Sequence, residues 1–382
     1  MITDSQEIQV RAEFHSHIDA LPAAAWNAIA PPGNPFLRHE FLAAMERHGC
    51  VGEHYGWVPH HLALWQGQQL VGAVPLYVKT NSYGEFVFDW SWADAYARRG
   101  LRYYPKLVSA IPYTPATGSR LLVADAAIRQ TLVDCVHREV ERLGFSSMHW
   151  LFPPPDEVAL ICAHHAVPRH DVQFHWRNAG YTDFAQFLAA LSAKKRKNIQ
   201  RERRLVGAAD VHIERLPGDQ VTDAQWAAFH VFYRHTFDTK GGMPTFSLEF
   251  FQEIGRTMGD QILLVLAGQG GRWVAGALCY VGQDTLYGRH WGALAHFDSL
   301  HFELCYYQGI EFAIAQGLAV FEPGAQGEHK IARGFLPVVT QSAHLLTDPV
   351  MRDAVARYLV QERVSIGDYV AQCLERTPFR AL

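Results

Sequence analysis

Chemistry-bearing residues crowd one short passage of this 382-residue chain, FEPGAQGEHKIARGF at 321–335. An apolar strand ends at Phe321. Glu322, Glu328, His329, Lys330 and Arg333 then follow among three glycines, before the chain turns apolar again at Phe335. Residues of these types suit chemistry in which a proton is moved, an oxyanion stabilised and two substrates held together. Glu328 or His329 could take the proton, the imidazole because it titrates near neutrality and the carboxyl if burial raises it. Lys330 and Arg333 could hold a substrate phosphate or carboxylate or steady the oxyanion, with Arg suited to bidentate contacts. The glycines would let the backbone approach a ligand closely. A solvated, salt-bridged turn would use the same residues.

The elements around this passage must position it. The run before it reads as a helix over 300–316, with Glu303, Tyr307 and Glu311 recurring at i, i+4 and i+8 on one face. Glu303 and Tyr307 are expected to support the proton-transferring pair. Glu303 pointing at the strand end that carries Glu322 would build a carboxylate-rich pocket beside the cations. Arg289 and Trp291, on the preceding strand, are expected to face that pocket or to pack. KKRKNIQRERR (194–204) holds seven cations against one acid, a strong local field for an anion such as tRNA, anionic lipid, nucleotide sugar or acyl carrier protein. Lys194, Lys195, Arg196, Lys197 and Arg201 are the candidate anion-binding set, and the absence of interleaved aromatics argues against base stacking. In the first half, Phe86, Phe88, Trp90 and Trp92 alternate as on one strand face, either core or the wall of a cleft.

Two stretches echo each other. PFLRHEFLAAMERHG (35–49) resembles PTFSLEFFQEIGRTMG (244–259), and a hairpin pattern follows each, at 61–78 and 262–281. Glu40 and Glu249 lie 209 residues apart and Gly72 and Gly276 lie 204 apart, a drift that unequal loops would produce. The repeated unit reads as helices, an antiparallel hairpin widened by a third strand, a long helix and another strand. That makes an α/β (α+β) chain of two units with a boundary near 177, so that the domains are 1–177 and 178–382. Hydrophobic residues at 49% supply ample core and exclude global disorder. The six cysteines form no CxxC pair, the opening residues lack the pattern of a signal peptide, and no apolar run approaches membrane-span length. A cytoplasmic protein is expected. No HExxH, GxSxG or Walker pattern occurs among the motifs, so metal catalysis, hydrolase and NTPase chemistry are not expected.

Two such units in tandem, with Ser192-Ala193-Lys194-Lys195-Arg196-Lys197-Asn198-Ile199 before the second, resemble the Fem aminoacyl transferases of the GNAT superfamily. The nearer resemblance is to the FemAB-like predicted N-acyltransferases of the peptidoglycan biosynthesis or recognition type. It is carried by DWSWADAY (89–96), YYPKL (103–107), PYTPATGSRLL (112–122), KKRKNIQRER (194–203), KGGMPTF (240–246) and the long block 301–337, which together span nearly the whole chain. The resemblance implies two GNAT-like units, each a mixed, mostly antiparallel sheet flanked by helices. It also implies transfer of an activated acyl or aminoacyl group to a small amine acceptor, with no bound cofactor and the donor as co-substrate. GALAHFDSLHFE (292–303) departs from the Q/R-x-x-G-x-G/A turn with which acetyltransferases cradle CoA pyrophosphate. It carries one glycine, and Asp298 would repel a pyrophosphate. The Fem proteins lack the same turn and use aminoacyl-tRNA, so the departure points to that donor. Two other readings stand beside it: a transferase using acyl-CoA or acyl carrier protein, and a non-catalytic protein that binds glycan, lipid or nucleic acid.

Overall fold

The computed structural model describes residues 10–325 and 327–380. The first half contributes β1 (Arg11–His15), β2 (Trp57–Pro59), β3 (His61–Gln66), β4 (Gln69–Val74), β5 (Leu76–Lys79), β6 (Lys106–Ser109), β7 (Leu122–Val123), β8 (Ser147–Leu151) and β9 (Val167–Arg177). The second contributes β10 (His212–Pro217), β11 (Ile262–Gln269), β12 (Arg272–Val281), β13 (Thr285–Ala293), β14 (Val320–Glu322) and β15 (Leu336–Leu346). Eleven strands join in one mixed sheet, ordered β10-β11-β12-β13-β14-β9-β15-β8-β6-β5-β2, and β1, β3, β4 and β7 make a smaller one. Helices flank the sheets, as the α/β reading requires.

The echo in the sequence is an echo in space. β3 and β4 pair antiparallel with a register shift at Leu64/Trp65, and β11 and β12 pair likewise with a shift at Ala267/Gly268. In the first half the hairpin bends, because Pro75 has no N–H to give a ladder. β4 therefore stays in the small sheet while β5 enters the large one. Like meets like between the halves: the rings of Phe41 and Phe250, matching residues of the two helices His39–Arg47 and Leu248–Thr257, pack edge to face at 5.7 Å. The halves also exchange strands. β9 of the first lies between β14 and β15 of the second, and β15 in turn lies between β9 and β8. Residue 177 closes β9, so the two halves on either side of it share one sheet.

The passage 86–92 is not a strand. Phe86 and Phe88 have φ of 59° and 54°, and Trp90–Arg98 is a helix that Asp89 precedes. The third strand of the first half is β6, further along. Two pulls defeat the alternation. Asp89 turns inward to the buried ammonium of Lys106, which also bonds Glu85 at 2.8 Å. Trp92 and Tyr96, four apart, then bury one helical stripe while Phe88 and Trp90 stay exposed.

The helix Asp223–Lys240 supports the second half from one side. A capping box of Thr222 and Gln225 starts it and Gly241, at φ 72°, ends it. It presses so closely on β13 that a Cβ on Gly292 would stand 1.9 Å from the carbonyl oxygen of Phe232. On the other side runs the helix predicted at 300–316. It occupies 300–315 and widens to π geometry over Glu303–Tyr307, a distortion frequent at functional sites. Among the described residues, no helix is long and apolar enough to cross a membrane.

Candidate functional site

β13 and β14 run parallel, and only Thr285–Tyr287 and Val320–Glu322 pair before the strands part. The gap beyond them is a cavity of about 380 Å³. β13 supplies Arg289, His290 and Trp291 to its wall, and the chain leaving β14 supplies Pro323, Gly324 and Ala325 followed by His329 and Lys330. His301, Cys305 and Tyr306 come from the distorted helix and Lys240 from the end of the capped one. The β12–β13 register skips Arg289, since Cys279 faces Gly288 while Leu278 faces His290. Arg289 is thus the extra residue of a β-bulge, a device that re-aims a side chain.

Burial sets the charge states. Lys330 is 2% exposed and its Nζ donates to the Gly324 carbonyl at 2.7 Å. Desolvation, with Arg289 nearby, brings its pKa down to about 7. Glu322 lies behind the wall against Arg289, at 3.5 Å, and burial pushes its carboxyl up to about 7 against the pull of that guanidinium. Arg289 gives its terminal nitrogens to Gly288 and Glu322, and its buried Nε finds no partner. Burial, and then the charges of Arg333 and Lys330, lowers His329, whose Nε2 lies 2.8 Å from the Tyr306 hydroxyl. His301 is held to about 4 and His290 to about 3, both chiefly by burial, so these imidazoles are neutral at pH 7.

Of the residues singled out from sequence, His329, Lys330, Arg289 and Trp291 meet at this cavity, with Glu322 buttressing Arg289. The others lie elsewhere. Glu328 is exposed and tied to the C-terminal helix Pro349–Glu375 and the residue beyond it, through Tyr369 at 2.8 Å and Arg376 at 2.7 Å. Glu328 is not part of the cavity wall. Glu303 is clamped by Arg203 and Gln308. Tyr307 bonds Glu202 and Arg333, and Arg333 spends its donors on Tyr307, Glu202 and the His329 carbonyl while its guanidinium lies 3.4 Å from the centre of the Phe302 ring. Glu303, Tyr307 and Arg333, with Glu202 and Arg203 of the basic helix Ala193–Ala208, form a lock that fastens that helix onto the distorted helix, so Glu303 is spent there while Glu322 bonds Arg289 instead of joining it in a carboxylate pocket. Glu202 and Arg203 face inward; Lys194, Lys197, Arg201 and Arg204 are exposed, and Lys195 and Arg196 half-exposed. Among the described residues, none of these six forms an ion pair.

Sequence reasoning gave no role to Lys240, His290, His301 or Tyr306. Lys240, His301 and Tyr306 stand inside blocks that carried the family resemblance, and that was the available signal; His290 lies outside them. The start of the distorted helix opens a second cavity, about 330 Å³, joined to the first through Thr236, Lys240, Trp291 and His301. His235 and His296 add to its wall. Asp298, expected to repel a pyrophosphate there, is an exposed residue bonded to His296 at 3.1 Å and is not part of the wall.

Glu85, Asp89 and His149 bring three possible metal ligands together in the first half, all buried. The ammonium of Lys106 stands among them, bonded to both carboxylates, and takes the place that an ion would need.

A family model for FemAB-like proteins, described as peptidoglycan biosynthesis/recognition, matches residues 17–381. No curated protein matches the chain. Among solved structures, FemX aligns at 10% identity over 91% of this chain and 100% of its own, with a TM-score of 0.54. L-PGS from Bacillus licheniformis aligns at 11% identity over 87% and 98%, TM-score 0.50. The C-terminal domain of a putative lysylphosphatidylglycerol synthetase from Agrobacterium fabrum aligns at 10% over 88% and 94%, also 0.50. At these identities the likeness is one of fold.

Proposed function

Because the chain belongs to the FemAB-like family, we propose that it is an N-acyltransferase whose reaction takes place where β13 and β14 part. One observation carries the reading: a lysine poised to lose its proton near pH 7 and a buried arginine line one cavity. Neutral Lys330 accepts the proton that the acceptor amine sheds as its nitrogen attacks the acyl carbon. The surrounding cations discourage an ammonium and so help the amine to lose that proton. The positive charge of the Arg289 guanidinium on the cavity wall steadies the oxyanion as it forms. The bond from acyl carbon to the leaving oxygen or sulfur then breaks, and the Tyr306–His329 pair offers a route for the proton that the leaving group takes up. The family description favours a peptidoglycan precursor as the amine acceptor.

The donor is either an aminoacyl-tRNA or an acyl thioester. The unpaired cations of the basic helix favour tRNA, with the helix as its electrostatic platform. The histidine- and lysine-lined cavity at the start of the distorted helix favours a thioester, whose phosphates it would receive. The test is amide formation, read by mass spectrometry, with purified protein, charged tRNA or acyl-CoA, and a panel of amines including muramyl-peptide precursors. Product that disappears in Lys330→Met and falls in Arg289→Met supports the reading. Undiminished turnover in both variants sinks it.

A further inference from the structure

We propose that an apolar chamber beside the polar cavity holds the aliphatic or aromatic chain of the acyl donor. The proposal rests on the transferase reading and names which substrate carries an apolar body. The chamber has a volume of about 530 Å³, within the range of small-molecule sites. Both halves build it: Tyr55, Phe86 and Tyr113 from the first, Phe237, Met243 and Phe246 from the second. Three of its four tyrosine hydroxyls are already committed, the fourth belonging to the exposed Tyr83. Tyr113 donates to the Cys50 carbonyl at 3.0 Å and Tyr55 to the Pro244 carbonyl at 3.3 Å, while Tyr233 accepts from the backbone N–H of Thr245 and Phe246. Ring surface is what remains to meet a ligand. Phe86, held at φ 59°, is a bulky residue in a conformation that such residues rarely adopt, and such strain concentrates at binding sites.

Tyr233, Phe237, Arg289 and His290 wall both the chamber and the polar cavity, so a chain lying in the first reaches Arg289 at its head. That junction decides the occupant. An amine anchored by an apolar tail would bring its ammonium against the Arg289 guanidinium, whereas an acyl group brings a carbonyl oxygen that this cation attracts. At about 30 Å³ for each methylene-sized group, the chamber takes at most about 18 heavy atoms.

The experiment is calorimetric titration of the full-length chain with alkanoyl-CoAs from acetyl to dodecanoyl, and separately with tRNA charged with glycine, leucine or phenylalanine. Affinity is expected to rise ~3- to 4-fold for each added methylene until the chamber fills. Met243 is 55% exposed at the rim. Met243→Asp should therefore fold normally and weaken the longest chains at least ~10-fold while sparing acetyl. Phe237→Ala should move the plateau to longer chains. A preference for apolar chains in the CoA series identifies a thioester donor, and the same preference in the tRNA series an aminoacyl ester. Chain-independent affinity in both series, or a dependence that neither variant alters, overturns the proposal. Lys330-dependent amide formation without chain preference removes the chamber from the account and leaves the transferase standing. Chain-dependent binding with no amide formed does the reverse.

Discussion

Methionine in place of Lys330 keeps the side chain's reach and removes its charge, and its consequences for rate and stability run in opposite directions. Lys330 titrates at about 7 in place of 10.5. At about 1.4 kcal/mol for each pH unit of that difference, holding it charged costs about 5 kcal/mol. About 4 kcal/mol of that is felt at pH 7, where half the population has already shed the proton. The lost bond to Gly324 returns about 1 kcal/mol, and relaxation with water entry from the cavity lowers the remainder, so Lys330→Met should gain about 1–3 kcal/mol at pH 7. The sign with pH follows from a folded pKa below the unfolded one. The wild type grows more stable as pH rises from about 7 toward 10.5, and the variant's advantage shrinks across that window. Transfer by the wild type should climb with pH through about 7 and level off, whereas the variant should lose about 10²- to 10⁴-fold and the climb with it. Urea unfolding at about pH 7 and pH 9.5, with amide formation followed in parallel, reads both effects. A variant less stable than the wild type at pH 7, or a wild-type rate flat from about pH 6 to 8, would refute the reasoning.

Glu328→Gln should leave transfer within about 2-fold of the wild type, because its carboxylate faces the C-terminal helix and solvent; a loss of 100-fold by the mass-spectrometric assay would put it back in the chemistry. Gly292→Ala should cost about 3 kcal/mol or more, since no rotation relieves a methyl group set 1.9 Å from a backbone oxygen, and a melt within a degree or two of the wild type would contradict the packing described. Replacing Lys194, Lys197, Arg201 and Arg204 together by Gln should make tRNA binding about 3 powers less steep in salt; an unaltered slope by filter binding would show that the helix touches no nucleic acid.

Much of the architecture was legible because it is written twice. Glu40-Phe41 and Glu249-Phe250 head equivalent helices, and Gly72 and Gly276 each mark where a helix side chain crowds the hairpin, Leu132 at 3.3 Å and Phe229 at 2.9 Å. The aromatic run at 86–92 misled because a period of two was read through two left-handed residues, while the informative spacing was Trp92 to Tyr96. At the site, the density of charged residues correctly drew attention to 321–335. It could not say which way each side chain points. The turn Glu328–Arg333 sends His329 and Lys330 into the cavity, Glu328 toward Arg376, which is 48 residues away, and Arg333 toward Glu202, which is 131 away. Local spacing carries no information about partners at such distances, and the lock they form looks like a catalytic cluster until its partners are known.

Duplication also sets the candidate site of the second half beside its counterpart in the first. The first half has the same parallel pair, β6 with β8, again joined over three residue pairs, Leu107–Ser109 with Met148–Trp150. Where β13 and β14 leave a cavity, the first half places Arg120, fully buried. Its guanidinium donates to the carbonyls of Ala116, Gly118 and Ser119, from the chain that leaves β6, and to that of Leu151 at the end of β8. An arginine with every arm committed to backbone fills that position with protein and leaves nothing to offer a substrate. Arg289 stands in the second half with its Nε unpaired and its side chain on a cavity wall. The two halves thus put the same kind of side chain where a parallel strand pair ends, and in the second half it borders a cavity. The freed first half still contributes, since Tyr55, Phe86 and Tyr113 form one wall of the chamber next to Arg289. A strand-exchanged sheet fixes that wall against the second half's chemistry more rigidly than a hinged pair of domains would, which suits a reaction whose two substrates must meet at one carbon.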